Sequence, residues 1–332
     1  MAPNQGPEKI MALSRGFMES RILLTGAELN LFSHLASQAL TAEELAEKTG
    51  FFLRPLTVVL DALAALELLS KTGERYQTPS HLVKWLSDDS PQSALPMIRH
   101  ANGLWNRWSN LTKIVKETGG VNRLPAVFDD QEETRAFIGA MHAVGIHLAD
   151  EVVREIAPGQ AKRLLDIGGA SGTYTIAFLQ ACPQMRATLF DFPEIVEMAR
   201  ARLTRAGLLD RVTLVGGNFY EDNLPNGHDL ALLSAIIHQN SLAQNLELFR
   251  KAFQALEPGG RIVIRDHVMN PDRTRPRSGA LFAVNMLVGT PGGGTYTYQE
   301  IKEGLEQAGF VKVNLIQEKE PMRGLLEAFR PQ

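Results

Sequence analysis

Apolar positions in the first part of the chain recur at helical spacing. Residues 8–37 carry a long amphipathic pattern, and a second apolar stripe begins near Pro55. Between them, Thr41 and Glu44 have the spacing of a capping box, in which the hydroxyl and the carboxylate each satisfy a first-turn amide. Residues 71–76 then predict a small hairpin. Two helices followed by a hairpin are typical of a winged-helix domain.

The pattern changes after residue 160. A helix predicted from about residue 131 to 156 is broken by the Pro and Gly of residues 157–160, which indicates a domain boundary. Beyond it, short apolar runs alternate with helical stretches such as 194–206 and 241–256, which predicts repeated β-α-β units and a parallel, doubly wound sheet. The seven predicted strands are 163–167, 187–190, 211–215, 229–233, 261–265, 310–316 and 323–329.

Charge argues against a nucleic-acid partner. The chain of 332 residues has a formal net charge of −3. From Thr41 to Tyr76, the winged-helix region has four basic and six acidic side chains, whereas a DNA-binding domain needs cations to neutralise phosphates. The sequence therefore favours a packing or dimerisation module over a DNA-binding one.

Compartment and membrane signals are sparse. Cys182 is the only cysteine, so neither a disulfide framework nor a cysteine-rich zinc site forms within one chain, and a reducing compartment suits it. The first residues lack the pattern of a signal peptide, and no apolar run approaches the ~20 residues that span a bilayer. We expect a cytoplasmic protein with no membrane partner.

A glycine-rich loop joins the first predicted strand of the sheet to the next helix. It carries Gly168, Gly169 and Gly172, but neither register gives Gly-x-Gly-x-x-Gly, and no Gly-Lys-Ser/Thr follows. Asp166, two residues before the loop, would repel a nearby phosphate. It suits a ligand that carries an ammonium group and no phosphate.

The next two strand ends carry groups that suit a nucleoside. Asp191, at the end of the second strand, either accepts hydrogen bonds from two ribose hydroxyls or caps the helix that begins near Pro193. After the third strand, Asn218 offers an amide to adenine and Phe219 offers a flat apolar face. A nucleoside joined to an amino acid, without phosphate, describes S-adenosylmethionine.

Together these residues resemble the S-adenosylmethionine-dependent small-molecule O-methyltransferases of the caffeate and acetylserotonin type. The resemblance covers nearly the whole chain. It implies an α/β fold with a Rossmann-like class I methyltransferase sheet of seven mostly parallel strands, and an N-terminal all-helical winged-helix dimerisation domain. The segments carrying it are 165–172, 190–193, 216–219, His238, 256–261 and 291–293. The implied domains are 1–103 for dimerisation, 104–157 for linking helices and the acceptor pocket, and 158–332 for cofactor binding.

The resemblance also assigns the cofactor site. It implies that Gly168 and its neighbours hold the methionine part, that Asp191 holds the ribose, and that residues 218 and 219 frame adenine. The family usually has Asp where this chain has Asn218. The expected cofactor-binding residues are Asp166, Gly168, Gly169, Gly172, Asp191, Phe192, Asn218, Phe219 and Ser234.

His238 is the candidate general base. It follows a predicted strand at the edge where the cofactor is expected, and an unperturbed imidazole accepts a proton near neutral pH. The alternative is a core or helix-capping histidine, because an apolar segment precedes it. The family commonly has Asp after the base and an orienting carboxylate later in the chain, whereas this chain has Gln239 and Thr295. Asp266 keeps a third acidic position.

The resemblance implies an acceptor pocket in which Met141 and Met286 clamp an aromatic molecule, since thioethers pack adaptably against flat rings. Asn285, beside Met286, and Trp105 are also expected in this pocket. Trp105 and Trp108 either line the cavity or fill the domain interface. His142 and His147 are five residues apart and the resemblance supplies no metal, so no metal site is expected.

These observations predict a homodimeric methyltransferase that acts on a hydroxyl of a small, aromatic or polyketide-like molecule. The altered surroundings of His238 leave three alternatives open. They are C- or N-methylation on the same scaffold, a regulatory protein that binds the cofactor without turnover, and a winged-helix transcription factor.

Overall fold

A computed structural model describes residues 6–90, 92–117, 138–139, 141–142, 145–146, 148–320 and 322–332. The chain divides into two compact units. The first unit comprises residues 1–106 and 135–143, and the second comprises residues 107–134 and 144–332. Among the described residues, no helix is both long enough and apolar enough to cross a membrane.

The first unit is mostly helical, with a small three-stranded sheet. Its helices are α1 (Pro7–Arg15), α2 (Phe17–Glu28), α3 (Leu31–His34), α4 (Ala42–Thr49), α5 (Leu53–Ala65), α6 (Ser80–Leu86) and α7 (Leu95–Trp108), the last of which ends in the second unit. Strands β1 (Leu40–Thr41), β2 (Ser70–Thr72) and β3 (Arg75–Gln77) pair in the order β1-β3-β2. The predicted capping box is present at Thr41 and Glu44, and the predicted hairpin is β2-β3.

The amphipathic pattern over residues 8–37 corresponds to three helices in the structure. The first break is at Gly16, between α1 and α2. The second is at Asn30, whose φ of 55° is left-handed and cannot continue a right-handed helix. An unbroken apolar pattern did not reveal these breaks, since apolar residues still face one core.

The second unit has seven strands that form one sheet, as predicted. They are β4 (Arg163–Ile167), β5 (Arg186–Asp191), β6 (Val212–Gly216), β7 (His228–Ser234), β8 (Leu256–Asp266), β11 (Val311–Gln317) and β12 (Gly324–Phe329). The order is β11-β12-β8-β7-β4-β5-β6, and only the pairs made by β12 are antiparallel. A separate parallel pair joins β9 (Val268–Met269) to β10 (Tyr296–Thr297).

Helices cover both faces of this sheet. They are α9 (Ala149–Ile156), α10 (Thr173–Ala181), α11 (Pro193–Arg205), α12 (Leu242–Ala255) and α14 (Tyr298–Gln307). The unit also contains α8 (Leu111–Glu117) and α13 (Arg277–Gly289). Leu165 and Ile167 of β4 pack on the face that α12 and α14 cover, whereas Leu164 packs on the face that α9 and α10 cover. Most of the helix predicted over 131–156 lies outside the described residues, and its described end is α9.

The parallel strands place their carboxyl ends along one edge. Strand order reverses between β4 and β7, so the loops after β4, β5 and β7 border the crevice in which doubly wound sheets bind ligands. The candidate cofactor-binding residues lie at or just after the carboxyl ends of these strands and of β6 beside them.

Candidate active site

The loop after β4 is held close to β5 by its glycines. The amide of Gly168 donates to the Phe190 carbonyl at 2.8 Å, and Gly168 has a φ of 69°. A Cβ at Gly168 would lie 2.4 Å from Ile236 Cδ1, and one at Gly169 would lie 2.7 Å from Leu189 Cγ. These positions therefore require glycine because of the chain's own packing, which brings the loop backbone to the sheet edge.

The Asp191 carboxylate links this loop to the end of β5. Its oxygens accept hydrogen bonds from the amides of Ala170 at 2.8 Å and Phe192 at 2.7 Å. Burial raises the pKa of Asp191 to about 6, although both amides favour the ionised form. Each oxygen uses one acceptor site in these bonds, so each retains capacity for a ribose hydroxyl. The alternative role, in which Asp191 caps the next helix, is not observed, because α11 begins without a side-chain capping hydrogen bond.

Asp166 lies beneath the same loop on β4. It is buried, and its Oδ2 accepts from the Thr175 hydroxyl at 2.6 Å. Burial raises the pKa of Asp166 to about 6. Gly172, also predicted here, has a φ of 77° and precedes α10. Two carboxyl groups therefore lie beside the glycine loop, where a phosphate would be repelled.

The adenine-side residues form a tight turn after β6. Asn218 Oδ1 accepts from the Tyr220 amide at 3.0 Å, which leaves its Nδ2 group as the donor for a base. Phe219 is buried, and its ring centroid lies 4.5 Å from that of Tyr220. The carboxyl groups at 166 and 191 and the amide at 218 thus fit a phosphate-free nucleoside with a cationic amino-acid part.

His238 sits in a short turn, Ile237–Gln239, beyond the end of β7. Its Nδ1 lies 2.9 and 3.0 Å from the two carboxylate oxygens of Asp266, which is buried at the end of β8. Burial alone would raise the pKa of Asp266, but the adjacent His238 imidazole holds it below its usual value. Because an ionised carboxylate only accepts, Nδ1 carries a proton, and in the neutral ring the lone pair is therefore on Nε2.

Gln239 and Thr295, which stand where the family commonly has acidic residues, cannot give the His238 ring a carboxylate partner. Thr295 is buried and its hydroxyl donates to the Gly279 carbonyl at 3.3 Å. The glycines before it support the His238 backbone instead, since the Gly294 amide donates to the His238 carbonyl at 2.8 Å and a Cβ at Gly293 would lie 2.5 Å from that oxygen.

A network of buried polar groups fixes the His238 turn. Asn240 accepts from the Tyr220 hydroxyl at 2.6 Å and donates to Asn245 at 3.0 Å. Asn245 donates to the Ile237 carbonyl at 2.9 Å, and the Tyr296 hydroxyl donates to the Asn240 carbonyl. This network was not predicted from the sequence, in which Asn240 and Asn245 stand among other polar residues such as Gln239 and Ser241.

Helix α13 presents further groups to this region. Phe282 packs edge-on against His238, with ring centroids 4.9 Å apart and an interplanar angle of 89°. One turn later, Asn285 Oδ1 accepts from the Trp108 indole at 3.0 Å, and Met286 is buried. Sequence analysis did not identify Phe282.

The remaining predicted acceptor residues, Trp105 and Met141, lie in the first unit, and their place in a pocket stays a prediction. Ser234 ends β7, and its hydroxyl accepts from Arg265 at 3.2 Å. Among the described residues, no group of three or more His, Cys, Asp or Glu side chains could hold a metal. His147 lies outside them.

Two family models match the chain. The O-methyltransferase domain matches residues 105–311, and the O-methyltransferase dimerisation domain matches residues 11–86. The chain is similar to the tetracenomycin polyketide synthesis 8-O-methyl transferase TcmO of Streptomyces glaucescens, with 32% identity over 93% of each chain. It is also similar to the 3-hydroxy-5-methyl-1-naphthoate 3-O-methyltransferase of Streptomyces sahachiroi, with 28% identity over 95% of this chain and 92% of the other.

The fold is that of human N-acetylserotonin methyltransferase in complex with S-adenosylmethionine, with a TM-score of 0.86, 23% identity and full coverage of both chains. The domain match spans more than half of the chain, in the same order of domains that the resemblance implied. The chain therefore belongs to the O-methyltransferase family and uses S-adenosylmethionine as its methyl donor.

Proposed function

We propose that this protein methylates a phenolic hydroxyl of an aromatic, polyketide-type small molecule, with His238 as the general base. The observation that carries the proposal is the contact between His238 Nδ1 and the buried Asp266 carboxylate at 2.9 and 3.0 Å. It makes Nε2 the nitrogen of the neutral ring that accepts a proton, and it fixes the plane of the ring. A base held in this way accepts a proton from a hydroxyl without first reorienting.

S-adenosylmethionine, when bound, supplies a methyl group made electrophilic by its positively charged sulfur. Nε2 of His238 accepts the proton of the acceptor hydroxyl, and the oxygen thereby becomes the nucleophile. Asp266 positions the imidazole and stabilises the imidazolium that forms. Asp191 would hold the ribose, and Asn218 would donate to adenine. The loop at Gly168 and Gly169, with Asp166, would hold the amino-acid part.

Helix α13 supports an aromatic acceptor. The Phe282 and His238 rings meet at nearly a right angle, and Asn285 follows one turn later on the same helix. Trp108 uses one lone pair of Asn285 Oδ1 and so orients the amide, whose Nδ2 group is its donor to an acceptor. An amide donor one turn from the base suits a molecule with a carbonyl oxygen near its hydroxyl. Hydroxylated aromatic polyketides have this arrangement. One relative is an 8-O-methyl transferase of tetracenomycin polyketide synthesis, and the other is a 3-O-methyltransferase of a hydroxylated naphthoate.

The proposed assembly is a homodimer formed through the first unit. The dimerisation domain model matches this region. Ile10, Leu13 and Phe17, on α1 and α2, are 67%, 66% and 52% exposed, which is unusual for large apolar side chains. Burial against a second copy would remove this surface from water.

A screen for methyl transfer tests the proposed function. The protein is incubated with S-adenosylmethionine carrying a labelled methyl group and with panels of phenols, hydroxyquinones, aromatic amines and carbon nucleophiles. Mass spectrometry then locates the new methyl group. We expect label on a phenolic oxygen, most rapidly where a carbonyl lies nearby. A label on nitrogen or carbon would show N- or C-methylation and would contradict the proposed O-methylation. Cofactor binding without any labelled product would favour a regulatory role.

A further inference from the structure

Arg265 is a buried cation without an ionised partner. It is the second-last residue of β8 and is only 6% exposed. Arg261, the other arginine of β8, pairs with Glu327 at 3.4 Å. In the part of the chain that the structure describes, no carboxylate forms an ion pair with Arg265. Its one side-chain hydrogen bond goes from Nη1 to the Ser234 hydroxyl at 3.2 Å, and its Nε has no partner.

Such a group is costly in an unliganded protein. Removing a guanidinium from water carries a penalty of several kcal/mol unless its donors and charge are satisfied. A neutral hydroxyl at 3.2 Å satisfies one of five donors. A second group lies beside it, because Arg265 Cζ is 5.2 Å from the Tyr174 ring centroid. The buried Tyr174 hydroxyl makes no hydrogen bond of normal geometry to the described residues, although the Ser234 side chain offsets part of the rise in its pKa that burial causes. Two unused donors at one point indicate a missing acceptor.

The location indicates which acceptor this is. Arg265 pairs in register with Ser234 at the carboxyl end of β7, and Tyr174 is the second residue of the helix that follows the glycine loop. Arg265 alternates with Ile264, which packs under α12 and α14, so its side chain is on the α10 face, where Tyr174 lies. Asp191 lies three strands away along the same edge, across β4 and β7.

We propose that Arg265 and the Tyr174 hydroxyl bind the carboxylate of the methionine part of the cofactor. This inference rests on the proposed orientation, with the ribose at Asp191, because the amino-acid part then extends past the glycine loop toward β7 and β8. A guanidinium matches a carboxylate with two parallel hydrogen bonds. Asp166, on the same face, supplies the opposite charge for the ammonium group of the same amino acid.

The test compares two ligands that differ only in this carboxylate. Calorimetry measures the Kd of S-adenosylhomocysteine and of its decarboxylated analogue, S-adenosyl-3-thiopropylamine, so no turnover is needed. We expect Arg265→Met to raise the Kd of S-adenosylhomocysteine by tenfold or more, roughly the value of a hydrogen bond to a charged group, and to change that of the analogue by less than about threefold.

Three further variants complete the design. Tyr174→Phe removes only the hydroxyl, and we expect a smaller loss of about threefold to tenfold, again confined to the ligand with a carboxylate. It also serves if Arg265→Met does not fold. Arg202→Met is the matched control, because Arg202 is a second arginine with an unpartnered buried nitrogen and lies in the last turn of α11, at the opposite end of the strands. His238→Ala should bind both ligands like the unaltered protein.

An equal loss of affinity for both ligands in Arg265→Met and Tyr174→Phe would overturn the proposal and make both residues structural. Unchanged S-adenosylhomocysteine affinity in both variants would also overturn it. If the unaltered protein bound neither ligand, the proposed orientation of the cofactor would be wrong, and this inference would be wrong with it. Failure of methyl transfer with intact binding would affect only the proposed function.

Discussion

At the scale of single residues, the central feature is the pairing of His238 with Asp266. Sequence analysis identified His238 and noted that Asp266 is acidic. It did not place the two side chains in contact, because 27 residues separate them and a helix and most of β8 lie between. Parallel pairing of β7 with β8 brings the two strand ends together. The neighbouring strand thus supplies the carboxylate that orients the proposed base, although residues 239 and 295 are not acidic.

Asp266→Asn tests this orientation. An amide nitrogen facing Nδ1 favours the tautomer with the proton on Nε2, which cannot accept a second proton from the acceptor. We expect kcat to fall by roughly a hundredfold to ten-thousandfold, with the Kd for S-adenosylhomocysteine unchanged. Thr295→Val is the control, since the substitution removes only the bond from the Thr295 hydroxyl to the Gly279 carbonyl, and it should keep kcat within about threefold. Equal activity of Asp266→Asn and the unaltered protein would remove Asp266 from this role.

Asp191 predicts a pH dependence of cofactor binding. In its proposed role the ionised carboxylate accepts hydrogen bonds from the ribose hydroxyls, and burial raises its pKa to about 6. Affinity for S-adenosylhomocysteine should therefore be complete above pH 7 and should fall as the pH drops through 6, by up to about tenfold per unit below the pKa. Calorimetry from pH 7.5 to 5.5 checks this. Constant affinity over that range would contradict the ribose role, and Asp191→Asn should flatten the curve.

The unliganded protein should show the opposite trend in stability. The carboxyl groups of Asp166 and Asp191 have folded-state pKa values of about 6, above their usual value of 3.8. The folded state therefore binds more protons than the unfolded state between these limits, so the free energy of unfolding falls as pH rises from 4 to 6 through these two groups. A cofactor that hydrogen-bonds to ionised Asp191 offsets this loss.

At the scale of elements, the His238 turn depends on hydrogen bonds from distant segments. Tyr220 follows β6, Asn245 lies on α12, and Tyr296 begins β10. Each forms a hydrogen bond either with the turn or with Asn240, the residue that follows it. Sequence patterns predicted the strands and most helices because apolar periodicity reports the core. They could not predict this network, because a polar side chain gives no periodic signal of its partner.

Tyr296→Phe tests the network. It leaves the buried Asn240 carbonyl without its donor and should lower the free energy of unfolding by about 1–2 kcal/mol. Because the turn also carries His238, kcat should fall severalfold while the Kd for S-adenosylhomocysteine is unchanged. Tyr298→Phe is a matched control, since the Tyr298 hydroxyl donates to the Val313 carbonyl at 2.9 Å, away from the turn. Equal effects of the two variants on kcat would show that the network only stabilises the fold.

At the scale of the whole molecule, the order of domains and the seven-stranded sheet were predictable from the sequence. The alternation of strands and helices specifies a doubly wound sheet, and the glycine loop marks its first strand-to-helix turn. The proposed boundaries at 103 and 157 stay predictions. The structure groups residues differently at the linking segment, since 107–134 belong with the second unit and 135–143 with the first. Local periodicity carries no information about such an exchange.

The exposed apolar residues of the first unit give a prediction for assembly. Leu13→Glu combined with Phe17→Glu places charges on the surface proposed to pair two copies. We expect light scattering after gel filtration to change from the mass of a dimer to that of a monomer of 36.6 kDa. Arg154→Glu, on α9 of the second unit, should leave the dimer intact. A dimer that survives the double substitution would place the interface elsewhere.

The most direct test of the account is steady-state methylation of a phenolic acceptor by His238→Ala, measured beside the Kd for S-adenosylhomocysteine. We predict that kcat falls by roughly a hundredfold to ten-thousandfold, the usual contribution of a positioned base, while the Kd changes by less than about twofold. Methylation by His238→Ala at a rate close to that of the unaltered protein would contradict the account.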